Sequence, residues 1–249
     1  MKILFIGNSH TYFNDMPATA ADMLEKMLGE KVEATMLAYS YKELEWHVKN
    51  EYFAVRFNIM YGGYDYCVVQ QAAHPFPGDM ATFEGMMRIA EMCGAAGTMP
   101  VLIQTWAEKG KPQQQAKLSM GNARAARMTQ SLLAPVGTIW KKIVNDHPEI
   151  DLYERDGEHA GPYGAYLEAL TVASAIAADK TGKLADMTRI GPEARDYAAP
   201  EDIDYDAPIV CEDRGETETV LDDGKAAVIR QAVEEHFRGF LLDTTGKSE

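Results

Sequence analysis

Lys2-Ile3-Leu4-Phe5-Ile6-Gly7-Asn8-Ser9-His10-Thr11 is the stretch that decides the fold. Its apolar run, Ile3 to Ile6, stops abruptly at Gly7-Asn8-Ser9. So short a run, without polar alternation, predicts a strand buried on both faces. Asp15-Met16-Pro17 then marks a helix start, and Met23, Leu24, Met27 and Leu28 follow at helical spacing. Ser9 therefore falls in the turn between a core strand and a helix. In an open α/β sheet that turn lies at the carboxyl edge, where ligands bind. A hydroxyl there is exposed, and nearby backbone N–H groups can stabilise negative charge. Gly-Asn-Ser after a strand is also ordinary turn chemistry, so the rest of the chain decides between a nucleophile and a turn.

Strand and helix patterns alternate outward from this stretch. Lys31 to Leu37 predicts a second strand, and Ala38-Tyr39-Ser40-Tyr41 turns into a polar helix through Leu44, Trp46 and His47. Tyr64 to Val69 predicts a third strand, ending in Gln70-Gln71. The loop Ala72 to Gly78 holds His74 and two prolines and is not helical. A helix pattern resumes at Asp79, through Phe83, Met86, Ile89 and Met92, and stops at Gly94 and Gly97. Met99 to Gln104 is a fourth strand, followed by Thr105-Trp106-Ala107. Gln113 to Leu133 reads as a long helix, interrupted by Ala134-Pro135-Val136-Gly137 with room for a short buried strand. Trp140, Ile143 and Val144 continue on a further helix. Ile150 to Tyr153 is expected as a fifth strand or a strand-like turn. After the loop Glu154 to Gly161, Tyr166, Leu167, Leu170, Val172, Ala173 and Ile176 make an apolar helix face. The alternation predicts a three-layer α/β/α sandwich, flavodoxin-like, on a five-stranded parallel sheet.

Residues 1–185 carry this pattern, and 186–249 form an acidic extension expected to pack on the same domain. Asp186 to Asp223 holds thirteen acids against Arg189, Arg195 and Arg214, a net −10 of the chain's −14. Such a run is a solvated surface in most proteins. Pro208-Ile209-Val210 and Glu218 to Leu221 are expected to pair as a small hairpin around Gly215. A last helix is expected from Gly224 to Leu241, with Val228, Ile229, Val233, Phe237 and Phe240 facing the core.

The charge of −14 argues against nucleic acid and anionic membrane surfaces as partners. No apolar run is long enough to span a bilayer. Strand sequence begins at residue 2 without the pattern of a signal peptide, so a cytoplasmic location is expected. Cys67, Cys93 and Cys211 are an odd set without close spacing, which points to neither a disulfide framework nor a metal cluster.

Asp156-Gly157-Glu158-His159 supplies what Ser9 lacks. A carboxylate three residues before a histidine on one loop can hold the imidazole by one nitrogen, leaving the other free to take a serine proton. A histidine in a polar loop is more often a solvated surface residue. This loop, however, follows the last strand and so opens on the same sheet edge as Ser9.

Together the two blocks resemble those of the SGNH (GDSL-like) hydrolases, which carry Gly-Asp/Asn-Ser after the first strand and Asp-x-x-His before the last core helix. Asp-Gly-Glu-His-Ala-Gly-Pro-Tyr-Gly-Ala-Tyr-Leu, 156–167, is similar to a bacterial branch of that superfamily. The runs Val136 to Trp140 and Gln104 to Trp106 add to the likeness, which covers roughly residues 2–180. The resemblance implies a serine esterase with Ser9, Asp156 and His159 as catalytic residues and no cofactor or metal. It implies a small-molecule ester as substrate, with a small acyl group on a carbohydrate or similar alcohol. The family builds its oxyanion hole from the serine N–H, a glycine N–H after the second strand and an asparagine after the third. Here Ser40 and Gln70 stand at the last two places, so the implied hole is Ser9, Ser40 and Gln70, with Gln71 a weaker alternative. His10 lines the pocket or caps the turn. His74 touches substrate or belongs to a surface loop. Trp106 forms a pocket wall or packs in the core.

Two rival readings stay open. A non-catalytic module of the same fold would bind a glycan or partner without turnover, as the altered second and third blocks allow. A phosphate- or flavin-binding protein would need a richer Gly/Ser/Thr loop than Gly7-Asn8-Ser9-His10-Thr11.

Overall fold

The computed structural model describes residues 1–195, 204–209 and 218–245, the side chains of 218 and 240–245 excepted. Its centre is a five-stranded, wholly parallel sheet: β1 (Lys2–Gly7), β2 (Glu33–Ala38), β3 (Tyr66–Gln70), β4 (Met99–Ile103) and β5 (Leu132–Ala134), in the spatial order β2-β1-β3-β4-β5. Strand order reverses between β1 and β3, and a doubly wound sheet opens its ligand crevice at that point.

Strand alternation divides the core into two layers. Ile3, Phe5, Tyr66, Val68, Val101 and Ile103 face one side. They are covered by α2 (Met16–Leu28), α7 (Val136–Asp146), α8 (Pro162–Thr181) and α9 (Asp223–Thr245). Leu4, Ile6, Cys67, Val69 and Leu102 face the other. Over them lie α3 (Leu44–Lys49), α4 (Tyr52–Tyr61), α5 (Asp79–Ala96) and α6 (Gln115–Met128). A four-residue turn of helix, α1 (Ser9–Tyr12), follows β1 directly. Among the described residues no helix is long and apolar enough to cross a membrane.

Two expected strands are placed differently. The fifth strand is Leu132–Ala134, in register with Val101–Ile103, and not Ile150–Tyr153. The helix expected to run to 133 stops at Met128, where the Thr129 hydroxyl donates back to the Ala125 and Ala126 carbonyls. Gln130 then takes a left-handed φ of 53° and redirects the chain alongside β4. Tyr153 instead makes one antiparallel bridge to Ala160, which closes the loop carrying His159. Among the described residues the expected hairpin partners 208–209 and 218–221 do not pair with each other. Glu218–Val220 (β7) pairs antiparallel with Glu193–Arg195 (β6), while the Ile209 N–H is spent on the Ala38 carbonyl at the end of β2, at 2.8 Å. Val210, Gly215 and Cys211 lie outside the described residues, as does the Phe240 side chain.

α8 is the most enclosed helix, buried from Gly164 to Ala178. Glu168 sits inside it, 1% exposed, with neither carboxylate oxygen hydrogen-bonded. Desolvation pushes its carboxyl well above the usual range. A folded-state pKa above the unfolded one gives stability that is complete below about pH 4.3 and is lost as pH rises toward the folded value. Glu168→Gln is therefore expected to melt higher than the parent at pH 8 and nearly with it at pH 4. Calorimetric melts across that range check this; a gap that does not widen with pH would refute it.

Candidate active site

The site begins with Gly7. A Cβ there would stand 2.1 Å from Thr11 Oγ1 and 2.8 Å from Gln70 Oε1, so only glycine lets the chain turn this tightly into α1. Two donors hold its carbonyl, the Tyr39 N–H at 3.1 Å and His47 Nε2 at 3.0 Å. Asn8 caps α1, its side-chain oxygen accepting the His10 N–H at 3.1 Å while its amide donates to the Lys42 carbonyl at 3.1 Å. Ser9 is thereby fixed as the first residue of α1 at the crevice.

Its hydroxyl lies 2.7 Å from His159 Nε2, and His159 Nδ1 lies 2.6 Å from Asp156 Oδ2. The carboxylate accepts a hydrogen bond from Nδ1–H and fixes that tautomer, so Nε2 presents its lone pair to the Ser9 O–H. The loop is pre-set for this. Asp156 Oδ1 accepts the N–H groups of Glu158 at 2.8 Å and His159 at 3.0 Å. Burial pushes the Asp156 carboxyl up, but the His159 hydrogen bond and those two N–H groups outweigh it and hold the carboxyl below its ordinary value. Gly157 takes a left-handed φ of 74° between the pair, a turn that suits glycine.

Three further groups brace the His159 loop and one braces the imidazole. Phe13 stacks on it at 4.3 Å. Trp106 donates Nε1–H to the Glu158 carbonyl at 2.9 Å. Asn14, at a left-handed φ of 55°, donates to the Ala160 carbonyl at 2.9 Å. The Glu154 N–H bonds the His159 carbonyl at 2.8 Å and closes the loop.

The described cleft is narrow, about 50 Å³, and is walled by Asn8, Ser9, His10, His74, Glu158 and His159, with Ala72, Ala73 and Pro75 along one side and Tyr41 and Glu43 at the lip. A wider groove of about 570 Å³ lies between α3, α4 and α5, and its lining holds no serine, cysteine or histidine.

The remaining expected site residues divide. His10 does line the cleft, within 4.8–5.4 Å, ring centre to ring centre, of His159, His74 and Trp106. His74 lines it too, its Nδ1 3.7 Å from Glu108 Oε1. Trp106 is fully buried, stacked face to face on Trp140 at 4.2 Å, so it braces the His159 loop and is not a cleft wall. Gln71 is fully buried away from the lining; its oxygen holds the Leu44 and Ala72 N–H groups. Gln70 is also buried. Its oxygen accepts the Asn8 N–H and the Thr11 hydroxyl, each at 3.1 Å, and its amide donates to the Gln71 carbonyl. Ser40 is buried with its hydroxyl 2.7 Å from that of Tyr12. The backbone N–H groups of Ser9 and Ser40 meet no acceptor among the described residues.

Three imidazoles around this turn are held neutral. Desolvation, then the neighbouring His159 and His74, press His10 well below its ordinary value. Desolvation leads for His47 and His74 as well, each brought down to about 4. Depressed histidines give stability that is complete above about pH 6.5 and is lost as pH falls toward the folded values. Stability is therefore expected to fall between pH 6.5 and about 4, and His74→Gln to flatten part of that slope; urea midpoints measured across the range check it. Among the described residues no three His, Cys, Asp or Glu side chains are grouped to hold a metal ion.

The architecture is a three-layer α/β/α fold that aligns Ser9, His159 and Asp156 at the carboxyl end of the sheet, with Ser9 directly after the first strand. No family model and no curated protein matches the sequence. In structure the chain is similar to a lipase/acylhydrolase from Enterococcus faecalis, with a TM-score of 0.56 and 16% identity, over 72% of this chain and 96% of that one. It is similar to an acetylxylan esterase from Geobacillus stearothermophilus, with a TM-score of 0.55 and 11% identity, over 70% and 91% of the two chains. A GDSL-like lipase from Parabacteroides merdae gives 0.54 at 14% identity, over 73% and 95%. The likeness is one of fold, the three-layer α/β/α arrangement on a five-stranded parallel sheet expected from the sequence.

Proposed function

We propose that this chain is a serine hydrolase that cleaves a carboxylic ester, with a small acyl group on a carbohydrate or similar alcohol. The observation that carries it is the unbroken line from Asp156 through His159 to the Ser9 hydroxyl at 2.6 and 2.7 Å, opening on a cleft. Ser9 attacks the carbonyl carbon as His159 Nε2 takes its proton. The imidazolium, held by Asp156, returns the proton to the leaving alkoxide, and water repeats the sequence on the acyl-enzyme. The unspent N–H groups of Ser9 and Ser40 are suited to the oxyanion, and Gln70, whose amide keeps a second hydrogen, is the third candidate donor. The small side chains of Ala72 and Ala73 and the narrow cleft support a short acyl group. In this reading residues 1–185 carry the site, and 186–249 are an extension packed on the same domain.

One observation favours the rival reading, a binding module without turnover: the Gln70 amide already donates to the Gln71 carbonyl. A short-chain p-nitrophenyl ester assay separates the two. A parent chain that binds an acetylated sugar yet hydrolyses no ester, with Ser9→Ala binding equally well, would leave the binding module.

A further inference from the structure

Tyr41 is an odd residue to find at the lip of the cleft. It is 75% exposed, and its φ of 66° is left-handed, a strain that non-glycine residues carry where the surrounding structure imposes it. Its ring meets that of Tyr205 edge-on at 5.9 Å, and Tyr205 is itself 49% exposed. Tyr205 comes from the acidic extension, on a turn in which the Ala207 N–H bonds the Asp204 carbonyl at 3.3 Å.

That turn is tied to the serine. The Ile209 N–H bonds the Ala38 carbonyl, and the Ile209 side chain packs with Ala38 and Tyr12. Asp206 pairs with Lys42 Nζ at 3.2 Å, and the Lys42 carbonyl holds the amide of Asn8, the cap of the Ser9 helix. The extension thus brings an exposed aromatic ring beside a strained one at the mouth of the cleft.

We infer that Tyr41 and Tyr205 form the subsite for the alcohol half of the ester, and that it takes a neutral, hydroxyl-rich ring such as a pyranoside. This rests on the hydrolase reading of the same cleft. The charge and chemistry of the rim select the class. The described lining holds Glu43 and Glu158 and no lysine or arginine, and Asp206 occupies Lys42, so phosphorylated or carboxylated alcohols are repelled. Aromatic faces offer apolar area to the C–H faces of a sugar ring, while the two carboxyl groups accept its hydroxyls.

The test uses the full chain with a mono-O-acetylated methyl β-xylopyranoside, whose other two hydroxyls are free, and, as a small ester without a ring, ethyl acetate, acetate release being followed by titration. Tyr205→Ala is expected to lower the ratio of kcat/KM for the glycoside to that for ethyl acetate by about tenfold, the scale of one lost aromatic contact, and Tyr205→Phe to keep the parent ratio. An unchanged ratio in Tyr205→Ala would overturn the subsite. So would an equal fall with benzyl acetate in place of the glycoside, which would mark a site for aromatic alcohols. Binding of the same glycoside to Ser9→Ala, followed by NMR titration, keeps the two readings apart. If adding Tyr205→Ala weakens that binding about tenfold, the subsite stands even if the parent chain hydrolyses neither ester and the hydrolase reading fails.

Discussion

Ser9→Ala is expected to lower esterase turnover by about 10⁴-fold or more, leaving the weak residual effect of binding and oxyanion donors. The variant should still fold, since Ser9 is half-buried and, among the described residues, its hydroxyl bonds His159 alone. His159→Ala should lose nearly as much, because without the imidazole nothing takes the serine proton at neutral pH. Asp156→Ala should lose less, by roughly tenfold to a hundredfold relative to the other two. Its carboxyl is half exposed, and water can partly replace it at Nδ1. Ser9→Ala combined with His159→Ala should be no worse than either alone, since the two act as one unit. Gln70→Ala is a different case. It removes an acceptor from the Asn8 N–H and the Thr11 hydroxyl as well as a candidate donor, so a loss of about 10²–10³-fold is expected. Initial rates on p-nitrophenyl acetate at matched folded concentration measure all of these. A Ser9→Ala protein as fast as its parent would end the serine mechanism.

The catalytic line was readable in sequence because each half is local. Gly-Asn-Ser follows an apolar run, and Asp156 and His159 are three apart on one loop. Topology alone then brings both to the carboxyl edge. What supports the line is not local, and so was hidden. Phe13 stacks on an imidazole 146 positions away, a contact that no spacing rule encodes. Trp106 reads equally as wall or core until Trp140 is seen against it. Tyr41 and Glu43 sit in a turn whose left-handed residue is neither glycine nor asparagine, so composition gave no sign of its course. β5 is three residues long, too short for alternation to register. α4 went unread because only Val55 and Ile59 of it are buried, while Phe53, Phe57 and Tyr61 point to solvent. β7 pairs with residues some 25 positions earlier, through a connection that hairpin rules do not describe.

Removing α9 by ending the chain after Asp222 is expected to abolish the cooperative fold. The helix buries Ala226, Ile229, Ala232, Val233 and Phe237 in the same core as α7 and α8, and Ile229 and Val233 are wholly enclosed. Their spacing of three, four and four residues from Ala226 through Ile229 and Val233 to Phe237 is one helical stripe. Ile229 faces inward as expected, while Val228, also expected there, is half-buried against the edge of the same core. A fully buried valine, isoleucine or phenylalanine is worth about 1.5–3 kcal/mol each, so losing three consumes most of the 5–15 kcal/mol that holds a typical domain folded. The uncovered faces of α7 and α8 would also be left apolar and exposed, which favours association. Point variants grade the effect. Phe237→Ala should cost about 3–5 kcal/mol by cavity formation, and Val233→Asp more, because an unpaired carboxylate cannot be accommodated there. Arg238→Ala, on the exposed side of the same helix and paired with Glu234, should fall within about 0.5 kcal/mol of the parent. Urea unfolding of the variants and solubility of the truncated chain measure the series. A truncated protein that melts with the parent would mean that the stripe on α9 contributes nothing to the core it lies against.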